Sequence, residues 1–181
     1  MAQPKSNPQI SLRPQDVMVL LRLTLDREKT PTYAALAEDV RLTASEVHAS
    51  VNRCVLAQLV RKDTNGKPRV LLEPLKLFLL HGVRYCFPPI RGEMTRGMPT
   101  GYAAPPLIGK VMGSDEPPPV WPDKNGQLRG MTFQPLYPTV PDAASRNPKL
   151  YELLVLTDTL RGGSARERAI AQQEIEARFA A

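Results

Sequence analysis

Cysteine and histidine are scarce in this chain, and each scarcity removes a class of chemistry. Two cysteines, Cys54 and Cys86, in 181 residues give no disulfide framework. The two histidines, His48 and His81, stand in no ligand spacing with Cys, Asp or Glu, so no metal centre is expected. Gly92, Gly97 and Gly101 fall in Pro-rich chain rather than between a strand and a helix, which argues against a phosphate-cradling loop. Glu73 reads as a capping or surface residue, and Asp115-Glu116 beside Pro117 as a solvated acidic pair. No cofactor and no enzymatic activity are expected. Long hydrophobic runs are missing too. Residues 17–25 are apolar-rich but contain Arg22 and are too short to span a bilayer. With no signal peptide, the expectation is a soluble cytoplasmic protein with no membrane partner.

What is present is a core-forming composition, 42% hydrophobic and 23% charged, with a net charge of +6. The charge is uneven. Residues 1–87 hold 13 Lys and Arg against 8 Asp and Glu, whereas residues 88–181 hold 11 against 10. The basic excess suits a polyanion partner for the first half.

That half also carries the densest local signals. Thr43 and Glu46 form a T-x-x-E capping box ahead of a helix. Val47, Val51 and Cys54 follow at the spacing of one apolar face, with Cys54 as a small core residue. Ser45, Ala49, Asn52 and Arg53 fall on the other face, and His48 lies between the two. Upstream, Pro14 opens a helix whose inward side is Val17, Leu20, Leu21 and Leu25. Thr32 caps a second, with Leu36, Ala37 and Val40 inward; Tyr33 is read as core. Downstream, Asn65-Gly66 between two short strand-like runs predicts a hairpin bearing Arg61, Lys62, Lys67 and Arg69, with Asp63 as its one acid.

Residues 14–72 resemble the winged helix-turn-helix of bacterial transcription regulators, broadly the MarR/ArsR-like group, on three of these pieces in order: Tyr33 to Val40, Leu42 to Val60 and the basic Asn65-Gly66 hairpin. The resemblance implies three helices and a two-stranded wing, with residues 44–57 in a DNA major groove and the wing 61–70 on the backbone or minor groove. Arg53 would then fork onto a guanine edge and Asn52 would read an adenine or hold a phosphate. Ser45 sits near the helix start where backbone donors favour phosphate. Arg61, Lys62, Lys67 and Arg69 would supply the salt-dependent part of binding. The candidate DNA-contacting set is therefore Ser45, His48, Ala49, Asn52, Arg53, Arg61, Lys62, Lys67 and Arg69. The chain departs from the pattern at Gln58, where such regulators have Gly, and at Val55 and Leu56, where they have charge. An outward Leu56 implies cover from the Pro-rich segment or a partner.

Residues 88–148 contain 13 of the 19 prolines and 7 of the 11 glycines. Buried-type side chains in it (Tyr102, Leu107, Ile108, Trp121, Phe133, Tyr137) argue for an ordered, irregular strap with a small hairpin rather than a linker. Before it, Pro74 opens a helix over 75–85 too apolar to be half-exposed, so it is expected to be buried or to form an interface. After it, Asn147-Pro148 and the capping box Ser164-Ala165-Arg166-Glu167 start two C-terminal helices. The last is highly charged, a solvated helix or a dimerisation arm.

The expected architecture is thus mainly α: a flexible tail over 1–12, a winged helix over 13–87, the strap over 88–148 and helices over 149–181. The expected function is a sequence-specific double-stranded DNA-binding regulator acting as a homodimer, a repressor by type. The alternative is an antitoxin or protein-interaction module that binds a partner protein through its C-terminal region and represses its own promoter through the winged helix.

Overall fold

A computed structural model describes residues 11–111 and 116–180. The tail expected over 1–12 lies outside the described residues except for Ser11 and Leu12, and Leu12 packs against the core. Asp115 of the acidic pair also lies outside them.

The first three helices begin where the local chemistry directs. In α1 (Pro14–Thr24), proline opens the helix, and the Asp16 carboxylate accepts from the Arg13 backbone N–H at 2.8 Å. Thr32 caps α2 (Tyr33–Val40), accepting from Ala35 N. Thr43 and Glu46 form the expected reciprocal box at the start of α3 (Ala44–Leu56). Two turns demand left-handed backbone from residues with a Cβ: Arg41 at φ 57° ends α2, and Gln58 at φ 58° follows α3. Gln58 thus takes the conformation for which glycine is usual, at some strain. The chain then forms an antiparallel hairpin, β1 (Val60–Lys62) with β2 (Pro68–Val70).

A bent helix follows: α4 (Leu72–Leu77), a π turn over Phe78–Gly82, and α5 (Val83–Cys86). Leu75, Leu79 and Val83 are buried, but Leu77, Tyr85 and the following Ile90 are 54%, 75% and 64% exposed. Of the two expectations for an apolar helix here, burial or an interface, burial holds for one side only.

The mainly-α class is corrected by residues 88–148. They contain three strands, β3 (Arg91–Pro99), β4 (Pro119–Pro122) and β5 (Leu128–Phe133), each hydrogen-bonded to the other two in a small closed sheet. The protein is mixed α/β. Residues 91–99, part of the segment expected as an irregular strap, form the longest strand, and glycines in it and in β5 let the backbones meet. A Cβ on Gly97 would overlap the Trp121 carbonyl, and one on Gly130 the Pro118 carbonyl. A short helix absent from the sequence reading, α6 (Val140–Arg146), leads on to α7 (Pro148–Gly162) and α8 (Ala165–Phe179).

Helix α7 is the hub. Ten of its residues are buried, including Thr157, Asp158, Thr159 and Arg161. On one side it meets α1; on another it receives the sheet. The Asp158 carboxylate accepts from Trp121 Nε1 (2.5 Å), Thr100 Oγ1 (3.1 Å) and Arg161 Nη1 (2.6 Å). Burial pushes this carboxyl above the usual aspartate range, against the pull of Arg161. Helix α8 docks on α7 through Ala171, Ile175 and Phe179 at i, i+4 and i+8. It is neither a fully solvated helix nor a free arm. Residues Val17 to Leu21 are all 0% exposed, because α1 is flanked by α2 and α3 on one side and α7 on the other. One contiguous core therefore runs from Val17 to Phe179. Among the described residues no helix is long and apolar enough to cross a membrane.

Candidate nucleic-acid interface

Helix α3 is oriented by what it buries. Val47, Val51 and Cys54 are 0% exposed, and burial pushes the Cys54 thiol up to about 12. Ser50 is buried as well, donating its hydroxyl to the Asp16 carboxylate. At the helix start, the Thr43 backbone N–H, then its hydroxyl, hold the Glu46 carboxyl below its usual range. Ser45, His48 and Ala49 are exposed on the outer face, with Asn52 half-buried beside them. His48 packs edge-on against Tyr33 at 5.4 Å between ring centroids. His48 Nδ1 lies 3.3 Å from Asn52 Nδ2. Tyr33 is half-buried against the core, as its sequence reading supposed.

Arg53 is the main correction. Its Nε and Nη2 donate to the two Asp16 oxygens at 2.8 and 2.6 Å. The guanidinium is only 13% exposed and the carboxylate 0%. A helical wheel puts Arg53 outward, but its long side chain turns back along α3 to neutralise a buried acid on α1. In this arrangement it is a core ion pair, not a fork presented to a base. Asp16 was missed as its partner. The available signal was an acid placed directly ahead of the apolar run of α1, on a helix face that otherwise buries.

The hairpin is held by Asp63, whose Oδ1 accepts from the backbone N–H of Asn65 and Lys67, each at 2.9 Å. Those bonds, the one from Lys67 first, hold its carboxyl below the usual range. Gly66 completes the turn at φ 72°. Arg69 is drawn into this frame: Nε donates to Asp63 Oδ2 at 3.1 Å and Nη1 to the Arg27 carbonyl at 2.8 Å. Of the four hairpin cations, Arg69 is thus the least available. Arg61, Lys62 and Lys67 are exposed, and none of the three makes an ion pair among the described residues. Lys62 Nζ reaches Asn52 Oδ1 at 3.4 Å.

The expected set therefore divides. Ser45, His48, Ala49, Asn52 and Lys62 share a connected surface. Lys67 is exposed beyond it, Arg61 alternates to the other face of the hairpin beside Asp63 and Arg69, and Arg53 and Arg69 turn inward to acids. Leu56 is 63% exposed, so the Pro-rich segment does not cover it. That segment lies against α7 instead. Among the described residues no group of three or more His, Cys, Asp and Glu side chains is placed to hold a metal ion. No protein-family model, curated protein or solved structure matches the chain.

Proposed function

We propose that the chain is a sequence-specific, double-stranded DNA-binding regulator of the cytoplasm. On this reading residues 13–87 act as a winged helix, α3 enters the major groove and the hairpin lies on the backbone or minor groove. The observation that carries it is the Lys62–Asn52 contact. It joins the outer face of a capped helix to a cationic hairpin, the pairing of base-reading and phosphate-holding groups that duplex recognition needs. Base readout falls to Ser45, His48, Ala49 and Asn52 rather than to Arg53. Arg61, Lys62 and Lys67 supply the phosphate contacts.

A single reading helix covers few base pairs, so pairing on a two-fold site is part of the proposal. Helix α7 is consumed inside the protomer. The exposed Leu77, Tyr85 and Ile90 are the better candidates for a homodimer surface. The protein-partner reading, of the antitoxin kind, is favoured by one observation, the uncovered Leu56 at the end of α3.

Duplex affinity measured by fluorescence anisotropy across a salt series tests the proposal. The expected result is a steep log–log dependence on salt, with a preferred sequence emerging from selection on random duplexes. Absence of duplex binding at low salt would overturn it.

A further inference from the structure

The chain contains a second cationic surface, formed by strands that the DNA reading does not use. In the antiparallel pairing of β3 with β5, Arg96 stands directly opposite Arg129. Met94 and Met131 form the next pair on that face, because side chains alternate along a strand. The reverse face carries Gly97 and Gly130, against which β4 lies. The arginines therefore point away from the closed sheet, and both are exposed.

Like charges directly opposite across a strand pair destabilise a sheet. The hairpin has the same arrangement, Arg61 opposite Arg69, but there Asp63 takes up Arg69. Neither Arg96 nor Arg129 has a carboxylate within ion-pair distance among the described residues. Lys124, also exposed and unpaired, stands in the turn that leaves β4, where Asp123 N donates to the Arg96 carbonyl at 3.2 Å. The Asp123 carboxylate is occupied by the Asn125 backbone N–H at 2.9 Å.

This surface connects to α3. The 123–127 turn forms one wall of a cleft of about 950 Å³, and α6 forms another. Asp142 of α6 holds Arg41 at 2.7 Å, and Arg41 ends α2 two residues before the Thr43 cap of α3. Asp142 is further occupied by Arg146 at 3.1 Å, so α6 sets no free acid between the two surfaces.

We infer that Arg96, Arg129 and Lys124 form a second phosphate-backbone contact, engaging the same duplex beyond the segment read by α3. Two adjoining guanidiniums with no acid of their own present a forked donor set suited to phosphodiester oxygens. An acidic protein is the competing occupant. The face has no exposed aromatic anchor of the kind protein interfaces centre on, and its contact path leads to the proposed DNA surface.

The inference rests on the DNA reading, and the experiment separates the two. Salt slopes are measured for the full chain on a duplex of roughly 40 bp and on one of roughly 12 bp, just over a helical turn. On the long duplex, the paired substitution R96Q/R129Q lowers the slope by about 1.8, and R96K/R129K, which keeps the charge, restores it. On the short duplex, R96Q/R129Q leaves the slope unchanged. The thermal midpoint of R96Q/R129Q is no lower than that of the unsubstituted protein, since a like-charge pair is relieved, so the loss does not come from unfolding. An unchanged long-duplex slope in R96Q/R129Q, with a lowered slope in R61A/K67A, overturns this inference and leaves the α3 reading standing. A lowered slope in R96Q/R129Q alone supports the sheet and removes the hairpin. Failure of the unsubstituted protein to bind either duplex overturns both. An unchanged slope with loss of poly-glutamate binding overturns the inference in favour of an acidic protein partner.

Discussion

Arg53 of α3 and Asp16 of α1 form a two-point ion pair, with Nε and Nη2 at 2.8 and 2.6 Å from the two carboxylate oxygens. Asp16 also accepts from the Ser50 hydroxyl and the Arg13 backbone N–H, so three residues donate to one buried carboxylate. The pair sets the distance and rotation of α3 against the core, and with them the direction in which Ser45, His48, Ala49 and Asn52 face.

Removing either partner leaves the other short of its counter-charge in a mostly dry site. Asp16→Ala and Arg53→Ala are each expected to cost about 3 kcal/mol, read by urea unfolding at neutral pH. Loss of DNA binding in Arg53→Ala then reports a displaced helix. If Arg53→Ala abolished binding with an unchanged unfolding midpoint, Arg53 would be a direct contact after all.

The hairpin cations behave in the opposite way. Arg61→Ala with Lys67→Ala removes two exposed charges that have no ion-pair partner among the described residues. Stability should change by no more than about 0.5 kcal/mol per site, while the salt slope for duplex binding falls by about 1.8. Arg69→Ala should instead lower stability, because Arg69 ties Asp63 to the Arg27 carbonyl.

The two thiols should separate cleanly. Cys86 is exposed, and Cys54 is buried with its thiol pushed up to about 12. At pH 8 a thiol reagent should label one cysteine quickly and the second only on unfolding. The sign of the linkage follows. The folded value lies above the ordinary 9.0, so the Cys54 contribution to stability is complete below pH 9. It is lost as pH rises toward 12. Fast labelling of both cysteines in the folded protein would contradict the packing of α3.

Closure of the three-stranded sheet can be read through Trp121, the only tryptophan. Gly97→Ala sets a methyl group onto the Trp121 carbonyl, which is backbone and cannot swing aside. A destabilisation of about 3 kcal/mol or more is expected, with a red shift of the tryptophan emission as the indole leaves Asp158. A native emission spectrum and midpoint in Gly97→Ala would show that the strands lie farther apart.

The sequence was most legible where the physics is local. The Thr43, Asn147 and Ser164 caps each bond a backbone N–H three residues on, so the whole motif fits in a short window. Periodicity likewise gave Val47, Val51 and Cys54 as the inner face of α3. It failed where a partner is distant. Arg53 lies on the outer half of a helical wheel, and nothing within its own helix announces that Asp16, thirty-seven residues earlier, will pull it back. Strand β3 was missed for a related reason. Its glycines mimic turn chemistry, and their role of admitting a neighbouring backbone exists only once β4 and β5 are in place. Helix α1 looked one-sided because the cover on its second side comes from α7, more than a hundred residues later.

That double cover of α1 has a consequence for how the protein comes apart. Arg27 Nη2, just beyond α1, donates to the Arg178 carbonyl of α8 at 2.8 Å, which adds a second strap between the ends of the chain. A fragment cut after Phe87 would expose the side of α1 that α7 covers, so residues 13–87 are not a detachable unit. Unfolding should be one event rather than two. A substitution that loosens α8 on α7 would therefore be felt at α3, through that single cooperative unit.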